Sequence, residues 1–118
     1  VVVSDQVMSP TATADLARAL GELVTTDAYG TYHVTSGGAC SYFDFARTIF
    51  QKTGIETAVK PTSTESYGAP AARPLYTVLD NGRIRSLGIA AIPPWEDALD
   101  GYLARRAGHG EEAIGRIP

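Results

Sequence analysis

The chain has 118 residues, 44% of them hydrophobic and 19% charged, with a formal net charge of -3. That length fits one small domain with a core of its own, and no run of like charge offers a surface for a nucleic-acid backbone or an anionic membrane. Apolar stretches are only a few residues long, far short of the ~20 needed to cross a bilayer, and no basic start with an apolar centre marks a signal peptide, so a cytoplasmic location is expected.

Val1-Val2-Val3 reads as a buried strand, and a chain that opens inside such a run reads as a piece of something larger. A polar loop, Ser4 to Thr11, follows. It has more acid, amide and hydroxyl groups than a strand-to-helix turn requires. From Ala12 to Val24, Leu16, Leu20 and Leu23 recur at helical spacing and predict one buried face, with Thr11 or Thr13 as cap and Asp15 at the positive end of the dipole.

Asp27 to Gly30 is turn chemistry, and Thr31 to Thr35 is rich in strand formers. Beyond the Gly37-Gly38 break, Ser41 and Asp44 form an S-x-x-D capping pattern. It opens a helix whose apolar face holds Tyr42, Phe45, Ala46, Ile49 and Phe50, and Gly54 supplies the left-handed stop. Ala58 to Pro61 predicts a short edge strand, since proline cannot donate to a ladder. Thr62 to Pro74 is a loop with one helical turn near Ser63 to Tyr67, and Leu75 to Leu79 is extended. Asp80 or Asn81 caps a short helix carrying Ile84 and Leu87, ended by Gly88. Pro93-Pro94 starts a last helix with Trp95, Ala98, Leu99, Tyr102 and Leu103 on one stripe. The glycines and charges beyond Ala107 predict a loose tail. Strands alternating with helices give an α/β class with an incomplete sheet.

Few residues suggest chemistry. No G-x-G-x-x-G turn is present to cradle a dinucleotide, and Gly37-Gly38 reads as a plain breaker. No G-x-S-x-G elbow exists, and the histidines offer poor bases: His33 reads as a hydrogen-bonded structural residue and His109 as part of the tail. Cys40 is the only cysteine, so there is no internal disulfide and too few ligands for zinc. Standing just before a helix, its thiol invites comparison with a reactive one, but without a partner base a small buried residue is the better reading. Arg73 is presented from a loop and followed by a proline. Its forked, permanent charge suits a phosphate or diphosphate, with a surface ion pair as the equal alternative.

The order of these pieces resembles a known family. Asp5-Gln6, Ser9-Pro10-Thr11 and Asp15-Leu16-Ala17 are similar to the D-Q-x-G-x-P-T and D-L-A segments of the dTDP-4-dehydrorhamnose reductases, which are extended short-chain dehydrogenase/reductases. Gly30 to Phe50, "GTYHVTSGGACSYFDFARTIF", is similar to the same family's G-x-Y-H-x-T-G and C-S-W-Y-E-F-A-R segments. Later, "AARPLYTVLDNGRIRSLGI" resembles its A-R-R-P-x-Y-S-x-L-D-N motif, and Trp95 to Leu99 its closing W-x-x-A-L.

This resemblance implies the C-terminal, substrate-binding lobe of such a reductase, residues 1–106, followed by a tail, 107–118. The Rossmann half is absent, and with it the catalytic tyrosine-lysine pair. Neither Tyr42 nor Tyr67 has a lysine four residues on. The implied substrate is a dTDP-4-dehydro-6-deoxysugar, with Gln6, Met8, Thr11 and Arg73 as its candidate contacts. Met8 stands where the family usually has glycine, and Ala72-Arg73 where it has paired arginines. The implied cofactor is NADPH or NADH, bound outside this segment, with magnesium and a homodimer as further candidates. The alternatives are another nucleotide-sugar ketoreductase, a non-catalytic relative such as the regulatory subunit of methionine adenosyltransferase, and a free-standing sugar-nucleotide-binding module.

Overall fold

The computed structural model describes residues 1–89 and 92–108. β1 (Val2–Val3) pairs in parallel with β4 (Pro61–Thr62), Val2 opposite Pro61. Val2 and Ser4 donate their N–H groups to the Lys60 and Thr62 carbonyls, both at 2.9 Å, so proline's missing donor is not needed on that side. The paired stretch therefore begins at Pro61, where the sequence suggested it would end. β2 (Val7–Met8) pairs antiparallel with β3 (Cys40–Ser41), Val7 opposite Ser41 and Met8 opposite Cys40. On its other side Val7 bridges Tyr76: its N–H donates to the Leu75 carbonyl at 2.8 Å, and the Thr77 N–H donates to its carbonyl at 2.9 Å.

Helix α1 (Thr13–Leu23) has Ala12 at its N-cap and no side-chain cap. Thr11 does not cap it because its hydroxyl donates to the Ser9 carbonyl and accepts from the Ser36 N–H, both at 3.0 Å. The buried face is also rotated from expectation. Ala19 is fully buried with Leu23 beside it, while Leu20 remains 44% exposed. Only a small side chain at the centre lets the helix approach Ile84 and Ile89 closely.

Helix α2 (Tyr42–Thr53) starts as the sequence predicts. The Ser41 hydroxyl accepts from the Asp44 N–H at 3.0 Å, and Gly54 ends the helix at φ 68°. Asp44 differs from a reciprocal box: its carboxylate accepts from the Ser41 hydroxyl at 2.7 Å rather than from the Ser41 N–H. The helical turn expected near Ser63 is α3 (Thr64–Tyr67), capped by Ser63. The short helix near Ile84 is α4 (Gly82–Arg85), before which the Asp80 carboxylate accepts from the Gly82 N–H at 2.8 Å. The last helix is α5 (Trp95–Gly108).

Thr31 to Thr35 forms no strand. Its Tyr32 and Val34 side chains pack on Ala19, Ile84 and Ile89, and its backbone finds a side-chain partner instead of a ladder. The Asn81 amide oxygen accepts from the Thr35 N–H at 3.1 Å, and its NH2 donates to the Thr35 carbonyl at 2.6 Å. His33 is exposed and its side chain makes no hydrogen bond among the described residues, so it is not the hydrogen-bonded structural histidine expected. Arg83 lies over the Tyr32 ring, 4.5 Å from its centroid, and donates to the carbonyls of Thr31 and Tyr29. A Cβ at Gly30, whose φ is +136°, would run into that guanidinium.

A second cluster joins Cys40, Trp95 and Leu99 with Phe45, Ile49 and Leu103. The Phe45 and Trp95 rings meet edge to face, centroids 5.7 Å apart. The two clusters are tied where Gly37 bridges Pro94: the Gly37 N–H donates to the Pro93 carbonyl at 3.1 Å, and the Trp95 N–H donates to the Gly37 carbonyl at 3.0 Å. Because α5 continues through Gly108, the proposed boundary at 106 falls inside a helix, and the rest of the expected tail, 109–118 with His109, lies outside the described residues. Among the described residues no helix is long and apolar enough to cross a membrane.

Candidate functional site

The polar loop from Ser4 to Thr11 is bound to three other segments. The Ser4 hydroxyl donates to the Thr62 carbonyl at 3.2 Å, and the Gln6 amide donates to the Thr64 hydroxyl at 3.0 Å. Asp5 takes both the N–H and the hydroxyl of Thr64, at 2.9 and 2.7 Å. These donors, the hydroxyl first, hold its carboxyl below the ordinary 3.8. Ser9 donates to the Gly38 carbonyl at 2.7 Å. The loop's polar groups thus fix the backbone on either side of β2.

That rigid frame carries a cleft of about 210 Å³ lined by Gln6, Val7, Tyr42, Arg73, Pro74 and Thr77. Two of the sequence candidates, Gln6 and Arg73, meet there although 67 positions separate them in the chain. The geometry follows from Val7. Its pairing to Tyr76 holds the residues after Pro74 alongside β2, and its pairing to Ser41 places Tyr42 on the opposite side. The Tyr42 N–H donates to the Gln6 carbonyl at 3.4 Å. None of the ion pairs among the described residues involves Arg73, and its side chain is exposed. An exposed guanidinium beside an amide and two hydroxyl-bearing side chains can hold an anion and orient what is attached to it.

The other two candidates lie elsewhere. Thr11 lines a larger cleft of about 380 Å³ between the start of α1, α2 and α5, whose walls include Phe45, Ile49, Trp95 and Leu99. Its hydroxyl is already used by Ser9 and Ser36, and Arg105 at the rim is likewise engaged. Met8 lines neither cleft. As the residue after Val7 in β2 its side chain leaves the opposite face of the strand, at the register of Cys40. Among the described residues only glycines have positive φ, so the backbone at Met8 does not call for a glycine.

Cys40 is buried, and burial, with Asp44 and Glu96 nearby, pushes its thiol up to about 11. It is a core residue and not a nucleophile. Among the described residues no group of three or more histidines, cysteines and carboxylates could hold a metal ion. Val7, Tyr42, Pro74 and Thr77 are the lining residues that sequence reasoning missed, and of these Tyr42 and Thr77 carry hydroxyls. Tyr42 fell on the expected apolar face of α2, and only the pairing of β2 with β3 reveals that it faces Gln6.

Comparison with known proteins is consistent with this architecture. Residues 1–107 match the profile of the RmlD substrate binding domain. The chain is 43% identical over 106 residues to the spore coat polysaccharide biosynthesis protein SpsK of Bacillus subtilis, covering 90% of the chain and 37% of that protein. It is 38% identical over 109 residues to a dTDP-4-dehydrorhamnose reductase of Mycolicibacterium smegmatis, covering 91% of the chain and 33% of that protein. The chain thus spans about a third of the length of these relatives. A crystal structure of dTDP-4-dehydrorhamnose reductase from Bacillus anthracis in complex with NADP superposes with a TM-score of 0.85 at 42% identity, over 88% of the chain and 37% of that structure. An orthologue from Clostridium acetobutylicum superposes with a TM-score of 0.86 at 40% identity, over 90% of the chain and 38% of that structure. The resemblance read from the motifs and the α/β class are both borne out. A profile spanning nearly every described residue, joined to close superposition on such reductases, leaves one assignment: the chain belongs to the RmlD substrate binding domain family.

Proposed function

We propose that this chain is the substrate-binding part of an NADPH-dependent reductase that converts the 4-keto group of a dTDP-4-dehydro-6-deoxysugar to an alcohol, dTDP-4-dehydrorhamnose to dTDP-rhamnose. The observation that carries the reading is the cleft in which Gln6 and Arg73 converge, within a domain whose family is defined by substrate binding. Relatives named dTDP-4-dehydrorhamnose reductase and dTDP-4-keto-6-deoxy-D-glucose reductase support the sugar nucleotide as ligand.

Residues 1–106 form the sugar-nucleotide-binding lobe in this reading. Arg73 holds the diphosphate by its two-pronged charge, and the Gln6 amide, fixed by Thr64, orients the adjoining group. Thr11 and Met8 shape the frame behind them: Thr11 ties the loop to Ser36 and Met8 pairs with Cys40. NADPH supplies the hydride when bound. The described residues contain no glycine-rich turn for it, so its site and the proton donor belong to the remainder of the full-length protein.

The test is NADPH oxidation monitored with dTDP-4-dehydrorhamnose. Turnover is expected with the full-length protein and none with residues 1–118 alone. Full-length protein that binds dTDP-rhamnose without turnover would favour a non-catalytic binding protein.

A further inference from the structure

The cleft holding Gln6 and Arg73 has a third wall to which the reading above gives no role. Tyr42 is the first residue of α2, it is 44% exposed, and it lines the cleft. The next apolar positions of the helix behave differently. Phe45 and Ile49 pack into the Trp95 cluster, whereas Tyr42 has no ring or guanidinium partner among the described residues. Val7 and Pro74 add apolar flanks, so a flat ring and two apolar side chains bound a narrow space of about 210 Å³.

Two polar groups give that space direction. The Gln6 side-chain NH2 donates to Thr64, which fixes the plane of the amide, and the side-chain oxygen Oε1 accepts no hydrogen bond among the described residues. It is available to an N–H on the edge of a flat heterocycle. Arg73 stands at the same cleft with its charge unmatched by any carboxylate among the described residues. A flat ring, an unpaired amide acceptor and a cation lining one cleft together fit a pyrimidine nucleoside diphosphate.

We propose that Tyr42 is a base-stacking residue. The pyrimidine ring lies on its face, the base N–H donates to the Gln6 amide oxygen, and the diphosphate reaches Arg73. This rests on the proposed function, which supplies the nucleotide, and it adds which end of the nucleotide enters the cleft and what recognises it.

Titration calorimetry of the full-length protein with dTDP and, separately, with inorganic diphosphate tests the assignment. Tyr42→Ala and Tyr42→Leu are each expected to weaken dTDP by about fivefold to a hundredfold, and Tyr42→Phe by no more than about twofold, because the ring face does the stacking. Inorganic diphosphate has no ring to stack and should bind all three variants as it binds the parent. Tyr42→Leu keeps apolar bulk at the helix start, so the test stands even if the alanine variant fails to fold. Tyr42→Leu binding dTDP as tightly as the parent, or losing inorganic diphosphate to the same degree, overturns the stacking role. If in addition Arg73→Ala leaves dTDP binding unchanged, the substrate reading of the cleft falls as well; if Arg73→Ala weakens it, only the stacking role is lost.

Discussion

Asp5 grips Thr64 with both carboxylate oxygens: each accepts from the Thr64 N–H, at 3.0 and 2.9 Å, and one also accepts from its hydroxyl at 2.7 Å. The contact spans 59 positions and sets the loop before β2 against the start of α3. Because these donors lower the folded carboxyl below its ordinary 3.8, the stabilisation is fully present above that value. It is lost as pH falls through the depressed folded value. Thermal melts of the full-length protein across the acid range should therefore show a stability loss that Asp5→Asn diminishes. The variant should be less stable than the parent near neutral pH and converge on it in acid. A constant offset at every pH would mean that ionised Asp5 is not what Thr64 recognises.

Much of the local structure was legible because its causes are local. Ser41 caps α2 and Gly54 ends it through contacts within a few residues, and Ser63 caps α3 in the same way. What the sequence hid depends on distant partners. Thr31 to Thr35 has strand composition, yet it joins no ladder, and the Thr35 backbone bonds instead to the Asn81 side chain, 46 positions away. Leu20 has the right spacing to be buried and is not, because nothing in the pattern says that Ala19 is the point of close approach. The candidate site divides along the same line. The family resemblance groups Gln6, Met8, Thr11 and Arg73 around one ligand, and only the pairing of Val7 with Tyr76 shows that Gln6 and Arg73 alone share a cleft. Thr11 was chosen for a hydroxyl that the fold uses at Ser36.

Arg73 should dominate nucleotide affinity if the cleft holds the diphosphate. Replacing it by alanine removes a charge-assisted hydrogen bond, for which ~1.5 to 3 kcal/mol is the usual magnitude. Calorimetry on the full-length Arg73→Ala variant should show dTDP-sugar binding weakened by that amount with little change in thermal midpoint, since the side chain is exposed and makes none of the ion pairs among the described residues. An unchanged dissociation constant rejects the diphosphate role.

Trp95 should dominate stability instead. It is 6% exposed and its ring meets Phe45 edge to face at the start of α5. Truncation to alanine opens a cavity in the cluster with Cys40 and Leu99 and should cost about 3 to 5 kcal/mol. Denaturant unfolding measures it, and a loss under about 1 kcal/mol would mean that the cluster does not hold α5.

Cys40 should be chemically quiet. With its thiol raised to about 11 from an ordinary 9.0, the thiolate fraction near neutral pH falls about a hundredfold, and burial slows access further. Iodoacetamide labelling of the native full-length protein should therefore modify Cys40 much more slowly than a free thiol, and the rate should climb to the free-thiol rate once the protein is denatured. Rapid labelling of the folded protein at neutral pH would contradict the burial of β3.

Met8 separates fold from recognition. The family motif that this segment resembles has glycine here, which makes Met8 a candidate for setting substrate choice. The structure places it in β2 at the register of Cys40, outside both clefts, with no backbone conformation that needs glycine. Met8→Gly should accordingly act on the strand: added chain entropy in the unfolded state costs about 0.5 to 1 kcal/mol, to which the lost packing of a half-buried side chain adds. Nucleotide affinity should stay within about twofold, since Gln6 and Arg73 are held by Thr64 and Val7 and not by Met8. Calorimetry with dTDP beside a denaturant melt distinguishes the two effects. Stability unchanged while affinity or sugar preference shifts would return Met8 to the binding surface and show that the full-length protein brings substrate across this face of β2.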